Sequence, residues 1–209
     1  MNAIQYQAIS YELCEPVAKL LEICFPDAIE DQYTAEDLID LTNHFPMGTV
    51  VALDGKRVVG MGTGIFTDLD LNNLPPNEDD LIFTNERKTM HNPDGAYYFG
   101  GDLAVHPDYR GRGIARQLYN WRKQQVIDNH KKGFAAVAVL PGFADYRSTL
   151  TIHDYVAKVV AQELFDPTLS VQLRNGFHVV KLIQHFFIFP RSDHWGAVIL
   201  WENPAKAPA

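Results

Sequence analysis

The chain has 209 residues, 46% of them hydrophobic and 21% charged, enough for one domain with a sizeable core. Its formal net charge of −8 argues against nucleic acid as a partner, because neutralising phosphates takes a basic face. No apolar run approaches the roughly 20 residues a membrane-spanning helix needs, and no basic stretch leads into an apolar block at the N-terminus, so neither a membrane partner nor a signal peptide is expected.

In chain order, Ile4–Ile9 reads as a short strand. Glu12–Cys24 carries Leu13, Val17, Leu20, Leu21 and Cys24 at helical spacing, and Phe25–Pro26–Asp27 stops it. The two cysteines, Cys14 and Cys24, stand ten positions apart on that helix. That is on the order of 15 Å, against the ~7 Å a disulfide tolerates. Unpaired thiols fit a reducing, cytoplasmic location. Thr34 and Asp37 form a near capping box for a second helix, which Pro46 ends. Val50–Leu53 and Val58–Ile65 flank Asp54–Gly55 as a hairpin. A polar stretch, Asp68–Asp94, reads as a long irregular insertion of the functional or mobile kind.

Tyr97–Val105 is the next strand, followed by an arginine- and glycine-rich turn and a helix to about Asn129. Ile114, Leu118 and Trp121 share one face of that helix. Gly133 closes it, and Phe134–Leu140 has the unbroken apolar character of a buried strand. A second irregular piece runs over about 141–166 and contains a helix at Ile152–Leu164. Asp166 and Pro167 read as N-cap and first residue of a short helix ending near Gly176. Val179–Phe189 and Ala197–Trp201 are the last strands. The order predicts one α+β domain over 1–209, with a mixed, mostly antiparallel central sheet flanked by helices rather than a doubly wound one. The apolar runs FFIF and VILW near the C-terminus could pair across a homodimer or fill the core.

The turn Arg110-Gly111-Arg112-Gly113-Ile114-Ala115 is the most informative segment. A strand running through glycines into a helix leaves the first helical N–H groups without partners at the positive end of the dipole, which suits phosphate. Gly111 and Gly113 let a ligand approach the backbone, and Arg110, Arg112 and Arg116 would add cationic forks. It is not a P-loop, because the glycines are too close and no Lys-Ser/Thr follows. Nor is it the dinucleotide fingerprint: Arg116 occupies the third glycine position, and Lys131 and Lys132 stand where an acid is needed.

The hexapeptide matches R/Q-x-x-G-x-G/A at every fixed position, and DLAVHPDYRGRGIA resembles the strand-to-helix segment of the GNAT family of N-acetyltransferases. LSVQLRNGF resembles the family's later helix-to-strand signature, and matching elements run from about residue 4 to 201. The resemblance implies acetyl-CoA as cosubstrate. Gly111–Ala115 would hold the pyrophosphate, and Leu103, Ala104 and Val105 the pantetheine arm as an added strand. The sheet would be splayed between the strands at about 97–105 and 134–140, and a backbone N–H near Leu103 would polarise the thioester carbonyl. A further pattern, PGF…DYVAKVV…DPTLSVQLRNGF…WENP, resembles a less common GNAT subgroup, some of whose members accompany a nitrilase-type hydrolase domain.

Acetyl transfer to an amine removes a proton from the ammonium and returns one to the thiolate. Asp102, just before the pantetheine residues, is the candidate base or amine anchor, with its side chain opposite Leu103 and Val105. The family often places its acid, a Tyr, where this chain has Gln172, which can donate a hydrogen bond but cannot protonate a thiolate. Tyr146 and His153 are the substitutes the second insertion offers. No His/Cys cluster has ligand spacing, so no metal is expected. The two insertions, at about 68–94 and 141–166, would enclose a small-molecule amine acceptor. A non-catalytic acyl-CoA sensor, a protein lysine or N-terminal acetyltransferase, and a generic phosphate-binding turn are the alternatives.

Overall fold

Seven strands and six helices make up the computed structural model, which describes residues 3–26, 32–75, 77, 79–84 and 88–206. The strands are β1 (Gln5–Ala8), β2 (Val50–Asp54), β3 (Arg57–Thr67), β4 (Tyr97–Val105), β5 (Gly133–Val139), β6 (His178–Gln184) and β7 (Trp195–Glu202). The helices are α1 (Tyr11–Cys24), α2 (Ala35–His44), α3 (Asp79–Ile82), α4 (Ile114–Asp128), α5 (Ile152–Val160) and α6 (Leu169–Arg174). No helix among the described residues is long and apolar enough to cross a membrane.

The strands form one sheet in the order β1-β2-β3-β4-β5-β7-β6. Every neighbouring pair is antiparallel except β4 and β5. This is the mixed, mostly antiparallel sheet the sequence predicts. Helices cover both faces, and so β3 is buried along nearly its whole length. On one face α1 and α2 pack Leu20, Leu21 and Leu38 against Val51, Met61, Ile65 and Phe99. On the other, Val126 of α4 and Tyr155 and Val159 of α5 meet Tyr98, Phe134 and Ile199. The capping box at α2 is complete: the Thr34 hydroxyl accepts from the Asp37 N–H while the Asp37 carboxylate accepts from the Thr34 N–H.

Several boundaries differ from the sequence reading for local reasons. α4 is closed by Asn129 and by His130 in the left-handed region (φ 54), not by Gly133, which begins β5. A Cβ at Gly133 would lie 2.6 Å from the Trp201 carbonyl oxygen, so the glycine serves the close approach of β7. α6 starts at Leu169 rather than Pro167. β6 ends at Gln184, five residues early, because His185 turns left-handed (φ 63). The stretch after Asp68 is anchored: Leu81, Ile82 and Phe83 enter the core, and Asp40 of α2 accepts from the Thr89 N–H at 2.7 Å. The VILW run lies in β7, between β5 and β6, so it belongs to the interior. Cys14 and Cys24 both lie on α1 and are free thiols.

Candidate functional site

β4 and β5 pair at three positions, Tyr97↔Gly133, Tyr98↔Phe134 and Phe99↔Ala135. β4 continues for six more residues without a β5 partner, so the sheet opens into a V from Gly100 to Val105. Opposite this opening β4 stays paired with β3 through Leu103↔Gly62, Ala104↔Met61 and Val105↔Gly60. Between Gly64↔Gly100 and Gly62↔Leu103, β4 spends three steps against two on β3, a bulge that holds Gly101 and Asp102. Bulges re-aim side chains beside functional sites.

Beyond Val105 the chain turns through Pro107–Tyr109 into the glycine segment. Gly111 (φ +75) and Gly113 (φ +79) are both left-handed, and a Cβ on either would meet nothing within 4 Å. Their backbone is therefore open to the outside, a cradle that a phosphate can approach. Gly113 is the N-cap of α4 with no side-chain cap, and the amides of Ile114, Ala115 and Arg116 find no acceptor among the described residues. The turn is stapled from below: the Tyr109 hydroxyl donates to Asp54 at 2.9 Å, and Arg57 donates to His106 Nε2 at 2.8 Å. His106 Nδ1 in turn accepts from the Asp108 N–H at 3.2 Å.

The three arginines divide. Arg110 Nε donates back to the Val105 carbonyl at 3.2 Å. Arg112 donates to the Asp108 carbonyl at 2.8 Å and lies 4.6 Å over the Tyr109 ring. Both are thereby tied into the turn. Arg116 is exposed on the first turn of α4.

Asp102 is half-buried in the bulge. Burial pushes its carboxyl from the ordinary 3.8 up to about 6, against the pull of the Arg122 guanidinium. Its charge and that of Arg110 reach the Cys24 thiol at the end of α1, which burial pushes up. Leu103 and Val105 pack toward α4 with Ile114 and Leu118, while Ala104 joins the α1 side. On that side a Cβ at Gly101 would strike the Tyr33 hydroxyl, and Phe83 stands 5.6 Å from the Tyr33 ring, so the first insertion walls the α1–α2 side of the opening.

Under the other face lies a group that sequence reasoning missed. Arg122 of α4 is 1% exposed, and its guanidinium sits 4.9 Å from the centres of both the Tyr119 and Phe134 rings. It fills space left by glycines: a Cβ at Gly62 would be 3.1 Å from its Nε, and one at Gly100 3.3 Å from its Nη1. Nη1 donates to the Thr63 carbonyl at 3.3 Å, and Nε has no partner. Arg122 and Gln172 both bear as donors on the Tyr119 hydroxyl, which burial pushes up, and Gln172 Oε1 is unpartnered. Tyr146 packs 5.5 Å from Tyr155, and His153 stands edge-on to Trp195 at 5.8 Å. The structure gives neither a contact with Asp102. A separate cleft of about 590 Å³, lined by Tyr97, Lys132, Glu202 and Lys206 among others, lies at the opposite, paired end of β4 and β5 and holds none of these residues.

Residues 14–142 match the family model described as Acetyltransferase (GNAT) family. The chain is 29% identical over 199 residues to "Probable hydrolase YhcX" of Bacillus subtilis (strain 168), covering 93% of this chain and 37% of that protein. The match therefore spans little more than a third of that longer relative. It is 24% identical over 195 residues to "Uncharacterized N-acetyltransferase YkwB" of the same organism, covering 90% and 84%. Among solved structures, the loading GNATL domain of CurA from Lyngbya majuscula superposes with a TM-score of 0.80 at 15% identity, covering 98% of this chain and all (100%) of that one. The GphF GNAT-like decarboxylase in complex with isobutyryl-CoA gives 0.74 at 16% identity, covering 95% and 99%. At these identities the structural likeness is one of fold.

Proposed function

The chain belongs to the GNAT acetyltransferase family, and from that premise we propose that it moves an acetyl group from acetyl-CoA to the amine of a small acceptor, directly within a ternary complex. Acetyl-CoA is the cosubstrate and supplies an activated acyl group as a thioester. The residues present fit it. The open glycine cradle at Gly111 and Gly113, with the Ile114–Arg116 amides that find no acceptor among the described residues, suits a pyrophosphate. The unpaired edge of Leu103–Val105 suits an extended, amide-bearing arm that adds to the sheet as a strand would.

The observation that carries the reading is Asp102, set by a bulge at the mouth of the V and holding its proton up to about pH 6. An amine acceptor arrives protonated at neutral pH. A carboxylate already ionised above about 6, but basic enough to accept a proton, is matched to that task. Tyr33 and Phe83 give the acceptor side aromatic walls, which supports a small acceptor over an extended peptide.

The test is a thermal-shift plate with acetyl-CoA, free CoA, ATP and NAD, followed by a thiol-release assay across amines and amino acids. A ligand at about 100 times its dissociation constant adds roughly 2.7 kcal/mol to the native state, which moves the midpoint visibly. The reading expects a shift with acetyl-CoA and CoA only, and thiol release with one amine class. Binding without release across the panel would move the protein to an acyl-CoA sensor, the reading that Gln172 in place of a tyrosine favours. No shift with acetyl-CoA would remove the basis for both.

A further inference from the structure

Arg122 carries a full charge, and the Asp102 carboxyl feels it, being pulled down by the guanidinium against burial. No carboxylate lies within ion-pair distance of it among the described residues. Its hydrogen-bond and ring partners are neutral: the Thr63 carbonyl, two ring faces and the hydroxyls of Tyr98 and Tyr119. The next residue, Lys123, is a second cation, whose ammonium burial and the Arg122 charge together push down to about 8. A buried ionic group can often be replaced by an apolar one of similar volume without loss of stability.

Its position gives the charge a use. Gly100 is the first residue of β4 beyond the last β5 pair, so it marks the apex of the V, and Nη1 lies 3.3 Å from where its Cβ would stand. A Cβ at Gly100 would also strike the Phe134 ring, so at the apex the guanidinium and that ring share the space that glycine leaves beside the β4 backbone. The two ring faces hold the planar group in place without neutralising it. A planar, desolvated guanidinium is the side chain that recognises a carboxylate through paired hydrogen bonds.

We propose that Arg122 is the counter-ion for a carboxylate that a ligand carries to the apex of the β4–β5 opening, so that the site selects ligands bearing one. The proposal rests on the reading of that opening as the acyl-CoA and acceptor cleft. Two sources share the chemistry: a distal carboxylate on the acyl chain of the thioester, and the carboxylate of an amino-acid acceptor.

The test measures binding to the intact chain by calorimetry in two arms. One compares succinyl-CoA with butyryl-CoA. The other, with CoA present, compares amino acids with the amines that lack only the carboxylate. The wild-type protein is expected to prefer the carboxylate member about tenfold or more in one arm, which names the source. Arg122→Met should reduce that preference to parity, and Arg122→Lys should retain part of it. Free CoA serves as the control for a folded cleft in each variant. Equal binding of charged and uncharged members in both arms by the wild type overturns the proposal. So does a preference that survives Arg122→Met. Failure of the underlying cleft reading looks different, because free CoA then fails to bind the wild-type protein at all.

Discussion

Replacing Asp102 by asparagine should make the protein more stable and less active, and the stability gain should depend on pH. In the unfolded chain the carboxyl ionises near 3.8, whereas in the folded protein burial delays this to about 6. At about 1.4 kcal/mol for each tenfold change in proton affinity, ionising Asp102 in place costs the folded state about 3 kcal/mol. Stability from this group is therefore fully present below about pH 4. It is lost as pH rises to about 6, and the loss stays constant above that. A side-chain amide never ionises, so Asp102→Asn should gain about 3 kcal/mol at pH 8 and close to nothing at pH 4. In a domain of this size that is roughly 6 to 12 °C in the unfolding midpoint at pH 8. If Asp102 is the base, the same variant should lose about 100-fold or more in kcat/KM, and wild-type kcat/KM should rise with pH through about 6. Differential scanning at the two pH values and a pH–rate profile decide it. A variant no more stable than wild type at pH 8, with a wild-type rate flat between pH 5 and 8, would refute both the buried-carboxylate argument and the role built on it.

His91 acts in the opposite sense. Its Nδ1 accepts from the Phe66 N–H at 3.1 Å, and burial pushes the ring from 6.5 down to about 4, so the stability it contributes is present above 6.5 and lost as pH falls through about 4. His91→Asn keeps an acceptor but does not titrate, and should flatten the fall in urea midpoint between pH 7 and 4.5 that wild type shows. Gly113→Ala meets no atom within 4 Å but holds an L-residue at φ +79, so it should cost about 1–2 kcal/mol of stability and weaken CoA binding about tenfold by calorimetry. Asp166, 0% exposed, accepts from the amides of Gly142, Thr168 and Leu169 and from the Tyr155 hydroxyl. Asp166→Ala leaves four donors unsatisfied and should cost about 3–5 kcal/mol in urea unfolding, with Asp166→Asn in between.

The parts of the fold that sequence reveals are those where one residue type has one physical use. Gly111 and Gly113 announce an approachable backbone at a strand–helix turn, and a Cβ at either would meet nothing within 4 Å. Thr34 with Asp37 announces a helix start, and both bonds form. Asp166 is legible as a cap although α6 begins at Leu169, because its carboxylate reaches the amides of residues 168 and 169 from outside the helix. Composition misleads where a few side chains decide against their neighbours. The polar run after Asp68 conceals Leu81–Phe83, which dock it to the core. The apolar run after Gln184 reads as continuing strand, but His185 and His194, both left-handed, close a turn in which the His185 N–H donates to the His194 carbonyl at 2.7 Å.

Arg122 shows what a single-element reading leaves out. Ile114, Leu118, Arg122 and Val126 recur every fourth residue, and all four are buried. The stripe is theirs, while Trp121, which helical periodicity also places near that face, is half-buried and donates to the Met47 carbonyl at 3.3 Å. A charged residue between Leu118 and Val126 looks like an exposed position when α4 is read alone, because a buried arginine needs room that the helix cannot supply. The room comes from β3 and β4, where a Cβ at Gly62 or at Gly100 would crowd the guanidinium. Those two glycines read separately as flexible points in two strands. Taken with Arg122, they form one pocket, three elements wide, shaped to hold a guanidinium beneath the point where the sheet opens. A neighbouring strand pair that carries glycines facing an arginine on the helical core stripe is a signal visible in sequence once the pairing is known.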